Sequence, residues 1–145
     1  MDLRETEIKR IEKISELLLK AARAVPKDKQ NWKPMPTGKS AHEILAHLGM
    51  ANYFFAALLK GAAPAQMNEP KTYDDALKLF EQSKSELTQT IRSMPPAQFD
   101  EKRTMPWGEE RSIKDLITSP MPHMAYHWGQ INYLQTLWGD QENRF

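Results

Sequence analysis

The chain has 145 residues and carries 20 Lys and Arg against 19 Asp and Glu, a formal net charge of +1. It therefore offers neither the basic field of a dedicated nucleic-acid binder nor an attraction for acidic membranes. Hydrophobic residues make up 40% and charged residues 27%, the balance of one folded domain over residues 1–145 rather than of a disordered chain. Cysteine is absent, which excludes disulfides, thiolate zinc sites and a cysteine nucleophile of the protein's own.

Four stretches carry helical periodicity. In the first, from about Asp2 to Val25, Ile11, Ile14, Leu18, Ala21 and Val25 recur at spacings of three and four and form one apolar stripe, which Pro26 ends. Residues 26–39 are a loop broken by Pro26, Pro34, Pro36 and Gly38, with Trp32 either folded back onto the core or roofing a pocket. The second helix opens at Ser40, where Ser40 and Glu43 match a capping box, and runs to a stop at Gly61. Its longest apolar run, Tyr53 to Leu59, is too short to span a bilayer.

A second loop, 62–71, leads to a third helix that opens at Thr72 and ends at Pro95 and Pro96. Residues 103–111 suggest a short hairpin turning at Trp107-Gly108. Ser112 and Asp115 form another box-like cap, opening a short helix to Thr118. Ser119 is then expected to cap a new or sharply kinked helix with Pro120 in its first position, where a missing N–H costs little, and Gly139 closes it. Four helices with no long strand read as an all-α four-helix bundle. The N-terminus, Met1-Asp2-Leu3-Arg4-Glu5, has no apolar leader region, so a cytoplasmic protein is expected.

Chemistry is concentrated in the histidines. His123 and His127 are four apart on the last helix, about 40° apart on one face. That spacing lets two imidazoles grip one ion. Leu134 continues their stripe and draws them toward the interior. His47 shares an inward face of the second helix with Met50, Ala51 and Phe54, while His42 projects elsewhere and reads as solvated. If the second and last helices run parallel and adjacent, the three imidazoles fall at one level. Three neutral nitrogens there suit Zn²⁺, Ni²⁺ or Fe²⁺ and leave a coordination position open. The plainer reading makes them core histidines satisfied by Tyr53, Tyr126 or a carbonyl. Met124 follows His123, so there is no built-in glutamate base of the HExxH kind. Glu43, one turn before His47, is a candidate general base whose first duty is the cap.

These residues resemble a known family. His47-Leu48-Gly49-Met50-Ala51-Asn52, followed far along the chain by Pro122-His123-Met124-Ala125-Tyr126-His127-Trp128-Gly129-Gln130-Ile131, is similar to the signature of the DinB family, also called DinB/YfiT-like metalloenzymes. The resemblance implies a four-helix bundle with a divalent metal held by His47, His123 and His127, and members that are often homodimers. It also implies a small-molecule substrate and, in some relatives, a low-molecular-weight thiol cosubstrate for S-transfer. Pro120 and Pro122 depart from the uninterrupted helix expected there.

Two functions of different classes follow. One is a metal-dependent thiol S-transferase or hydrolase, with Gln130 and Glu43 as candidate catalytic residues and Trp32, Tyr53, Phe54 and Trp128 as candidate pocket walls. The other is a non-catalytic metal-binding or structural dimeric bundle. Neither involves nucleic acid or membrane.

Overall fold

The start of each of the first three long helices is written in a short polar side chain that accepts from an orphan amide. In the computed structural model, which describes residues 2–145, the Asp2 carboxylate accepts from the Arg4 amide at 2.8 Å and opens α1, Leu3–Arg23. Ser40 and Glu43 complete the capping box of α2, Ala41–Leu59. Thr72 accepts from the Asp75 amide at 3.1 Å and opens α3, Tyr73–Ser93. A hairpin follows, with β1 (Lys102–Thr104) antiparallel to β2 (Glu110–Ser112) and Arg103 opposite Arg111. Its turn contains Gly108 at φ 91°, a left-handed conformation that favours glycine. The short α4 (Ile113–Thr118), capped by the Ser112–Asp115 box, leads into α5 (Pro120–Leu137).

Ser119 corrects the sequence reading. It is itself helical, at φ −72° and ψ −34°, and caps nothing; its hydroxyl donates to the Asp115 carbonyl at 2.6 Å. The chain passes from α4 to α5 without leaving helical geometry. Pro120 and Pro122 remove two amides there, and the register resumes with the His123 amide donating to the Ser119 carbonyl at 3.3 Å. The prolines therefore leave His123 and His127 stacked one turn apart.

Cross-helix contacts give the direction of each helix. The Tyr73 hydroxyl donates to the Ala22 carbonyl at 2.7 Å, and Arg4 donates to the Met94 carbonyl at 2.9 Å, so α1 and α3 are antiparallel. Ser15 touches the Met124 sulfur at 3.6 Å, and Gln135 donates to the Ala21 carbonyl at 2.8 Å, so α1 and α5 are parallel. Asn52 bonds Ser83 at 3.2 Å and, farther along both helices, Lys60 pairs with Glu86, so α2 and α3 are parallel. Ile44 borders the same crevice as Leu134, while Phe55 lies 6.2 Å from His123, ring centre to ring centre. Helices α2 and α5 are therefore antiparallel neighbours, not the parallel pair from which the convergence of histidines was argued. The order is up, down, down, up.

Parallel α2 and α3 require a connection that returns along the bundle. The 19 residues of α2 measure about 28 Å, and the ten residues of 62–71 reach at most about 35 Å when extended. The segment is accordingly drawn out, without regular structure. Gly61, at φ 71°, turns the chain into it. The core between the helices is closed by Ile11, Leu18, Leu45, Phe80, Ile91 and Leu116, all with essentially no exposure. Trp32 folds back onto that core and meets Trp138 edge-on at 5.9 Å. No helix among the described residues is long and apolar enough to cross a membrane.

Candidate metal centre

Helices α2 and α5 bring together the three histidines singled out by sequence. One ligand nitrogen from each of His47, His123 and His127 lies within 4.8 Å of the other two. His47 Nε2 is 3.0 Å from His123 Nε2, and His127 Nε2 is 3.1 Å from the same atom. The rings meet edge-on, with centres 4.7 to 5.0 Å apart. His127 is buried, while His47 and His123 keep partial exposure. Among the described residues this is the one cluster of three histidine, cysteine or acidic side chains close enough to share an ion.

The protonation of the cluster follows from its partners. Gln130, one turn beyond His127 on α5, presents its carbonyl Oε1 to His127 Nδ1 at 2.6 Å. A carbonyl oxygen only accepts, so Nδ1 carries the hydrogen and Nε2 keeps its lone pair. Burial lowers the pKa of all three imidazoles. His123 is pushed down to about 4, by burial first and by its two histidine neighbours second. His47 is lowered by burial and by the Lys39 charge. For His127 burial again dominates, and the bond to Gln130 opposes it. Near neutral pH the three rings are uncharged, the form that donates to a metal.

These residues fit a divalent ion on the chemistry of the donors. A single hydrogen on His123 Nε2 can point at His47 or at His127 but not at both, so in neutral rings one nitrogen–nitrogen approach of about 3 Å has no proton to bridge it. A shared cation resolves that approach. Two nitrogens each at 2.0–2.1 Å from one zinc ion, subtending 90–110°, lie about 2.8–3.4 Å apart, and both observed separations fall inside that interval.

The other sequence candidates take different places. Glu43 gives one carboxylate oxygen to Lys33 at 2.6 Å and the other to the Ser40 amide at 2.8 Å, and no hydrogen bond joins it to the histidines. Those contacts hold its pKa below the usual carboxylate range. Gln130 engages its carbonyl oxygen with His127. His42 is not solvated as expected: it is half-buried and its Nε2 bonds the Pro70 carbonyl at 2.9 Å, anchoring the end of the returning segment. Tyr53 and Phe54 line a groove that reaches the histidines, whereas Trp128 packs near Phe145 and Trp32 on the core.

That groove has a cavity volume of about 980 Å³, and His47 and His123 form one end of it. The sequence reading had no sight of several of its walls: Leu79 from α3, Met67 from the returning segment and Trp107 from the hairpin tip. Trp107 stacks on Phe54, 6.2 Å between centres and 7° from parallel. The one available signal was the string Ala62-Ala63-Pro64-Ala65, unusually apolar for a connection.

Comparison with known proteins agrees with this architecture. The uncharacterized protein YjoA of Bacillus subtilis (strain 168) is 25% identical over 114 residues, 76% of this chain and 74% of the relative. The crystal structure of that DinB-like protein superposes with a TM-score of 0.80 at 20% identity, covering 97% of this chain and 96% of the other. YfiT, also from Bacillus subtilis, superposes with a TM-score of 0.76 at 16% identity, covering 94% of this chain and 87% of the other. It is described as a probable metal-dependent hydrolase with an unusual four-helix bundle topology. The model of the DinB superfamily matches residues 10–131, and with that match over most of its length the chain belongs to the DinB superfamily.

Proposed function

We propose that the protein is a metal-dependent enzyme acting on a small molecule, with a divalent ion (Zn²⁺, Ni²⁺ or Fe²⁺) held by His47, His123 and His127. The observation that carries this reading is the convergence of three Nε2 atoms, two of them 3.0 and 3.1 Å from the third, at the end of a groove. Hydrolysis is the preferred reaction class, because the similarly folded YfiT is described as a probable metal-dependent hydrolase.

An ion bound there supplies Lewis acidity, which brings the pKa of a water or thiol toward neutrality. The chain's own part is to hold three uncharged imidazoles in place. Gln130 pins the His127 tautomer, and the one-turn spacing on α5 sets His123 against it. Gln130 is thus proposed as a positioning residue. Glu43 is proposed to serve the cap of α2 rather than proton transfer, since both of its oxygens are engaged.

Thiol transfer would use the same ion with a low-molecular-weight thiol as cosubstrate. The hydrolytic reading is tested by screening metal-loaded protein against small ester, amide and lactone libraries, with glutathione-type thiols in a parallel arm. Turnover abolished by chelation and restored by one added ion supports it. Turnover that needs the thiol moves the assignment to transfer, and turnover indifferent to chelation contradicts both. A homodimer is also proposed, on the exposed Tyr126, Tyr133 and Leu137 that share one face of α5.

A further inference from the structure

The groove that ends at His47 and His123 is unusual in what lines it. Its length along α2 runs from His47 to Lys60, about 20 Å at 1.5 Å per residue. The body between is mainly apolar, with Met50 and Phe54 from α2, Leu79 from α3, Met67 from the returning segment and Trp107 from the hairpin, and Tyr53 and Gln82 as its uncharged polar side chains. The returning segment crosses as Ala62-Ala63-Pro64-Ala65, side chains too short to fill the space they cover. A volume of about 980 Å³ is at the upper end for sites that take small molecules.

Charge is confined to the far end. Lys60 and Glu86 are the charged side chains of the lining, and they pair with each other. Neither offers an uncompensated charge to a ligand. A carboxylate or phosphate carried into the groove body would lose its hydration without gaining a counter-ion. An alkyl or aromatic body would be desolvated against Phe54, Met67 and Leu79 at a gain.

We propose that this groove selects an elongated, uncharged and mainly apolar molecule whose polar head lies at His47 and His123 and whose body extends toward Lys60. The inference rests on the metal-dependent reading for its head group and on the groove alone for its body. It places the small polar or polyanionic thiols among the poorer ligands.

The test is a series of straight-chain alkyl hydroxamates from four to ten carbons, titrated calorimetrically into zinc-loaded and metal-free protein. Affinity is expected to rise with each added methylene by about fourfold where burial is complete, with the same slope in both forms and a constant advantage for the zinc-loaded form. A carboxylate at the far end of the chain is expected to weaken binding at least tenfold. Met67→Glu, a substitution on an exposed position of the segment, is expected to flatten the chain-length slope while leaving zinc content unchanged. Slope without the zinc advantage supports the apolar groove and contradicts the metal reading. A zinc advantage without slope, or tighter binding of the carboxylate-tipped chain, overturns the groove proposal and leaves the metal reading standing.

Discussion

His127 Nδ1 donates its hydrogen to Gln130 Oε1 across 2.6 Å, three residues along the same helix. The bond leaves the lone pair of His127 on Nε2, the atom that faces His123 at 3.1 Å. Replacing Gln130 by Leu removes the acceptor while keeping a helix former of similar size. Metal affinity, measured by competition with a chromophoric chelator, is expected to fall about 10- to 100-fold, with the helical circular dichroism unchanged. An unaltered affinity would show that Gln130 does not set the tautomer.

The burial of the imidazoles gives a pH dependence with a definite sign. In the unfolded chain an imidazole takes up a proton near pH 6.5, while in the folded protein His123 resists protonation until about 4. Between those values the unfolded state binds more protons, so the stability of metal-free protein falls as the pH is lowered through that window and is fully present above it. Urea melts at pH 7.5, 6 and 5 check this, and His123→Ala is expected to flatten the dependence. Equal slopes for the two proteins would contradict it.

Helices α2 and α3 run parallel and pack tightly at Gly49. A Cβ there would sit 2.7 Å from Leu79 Cγ and 3.2 Å from the Phe80 backbone nitrogen. Gly49→Ala adds helix propensity of about 1 kcal/mol at most, but it forces two packed helices apart at a net cost of about 1–3 kcal/mol. Leu79 lines the groove, so the same change is expected to alter groove volume as well. Chemical denaturation reads the cost, and a stabilised variant would refute the close approach.

The dimer proposal places Tyr126, Tyr133 and Leu137 at the interface. Tyr133, with 66% of its surface exposed in the single chain, is replaced by Glu at little cost to the fold. Light scattering is expected to show a dimer for the parent and a monomer for Tyr133→Glu. A monomeric parent would dispose of the proposal.

Much of the fold was legible because helix ends are local. Ser40 with Glu43, Thr72 with Asp75 and Ser112 with Asp115 each announce a start within four residues, and each performs that function. Ser119 misled because the same residue type that caps an isolated helix will, inside a continuing one, donate back to a carbonyl one turn earlier, here that of Asp115. Periodicity placed His47, His123 and His127 on inward faces, but a face carries no direction. That α2 and α5 are antiparallel depends on the path of residues 62–71, which only tertiary packing decides. The partner of His42 was hidden for the same reason, since Pro70 is far along the chain. The groove was illegible because its walls come from three helices, a connection and a hairpin tip, brought together by that path.

The central claim is that three imidazoles, joined through His123 Nε2, hold one divalent ion. It is tested most directly by plasma mass spectrometry on untagged protein purified without chelators, beside His47→Ala and His127→Ala. Close to one equivalent of zinc, nickel or iron in the parent, lost in both variants that still fold, is the predicted result. An absence of metal from the parent even after reconstitution, or the same metal content in parent and variants, would contradict the account.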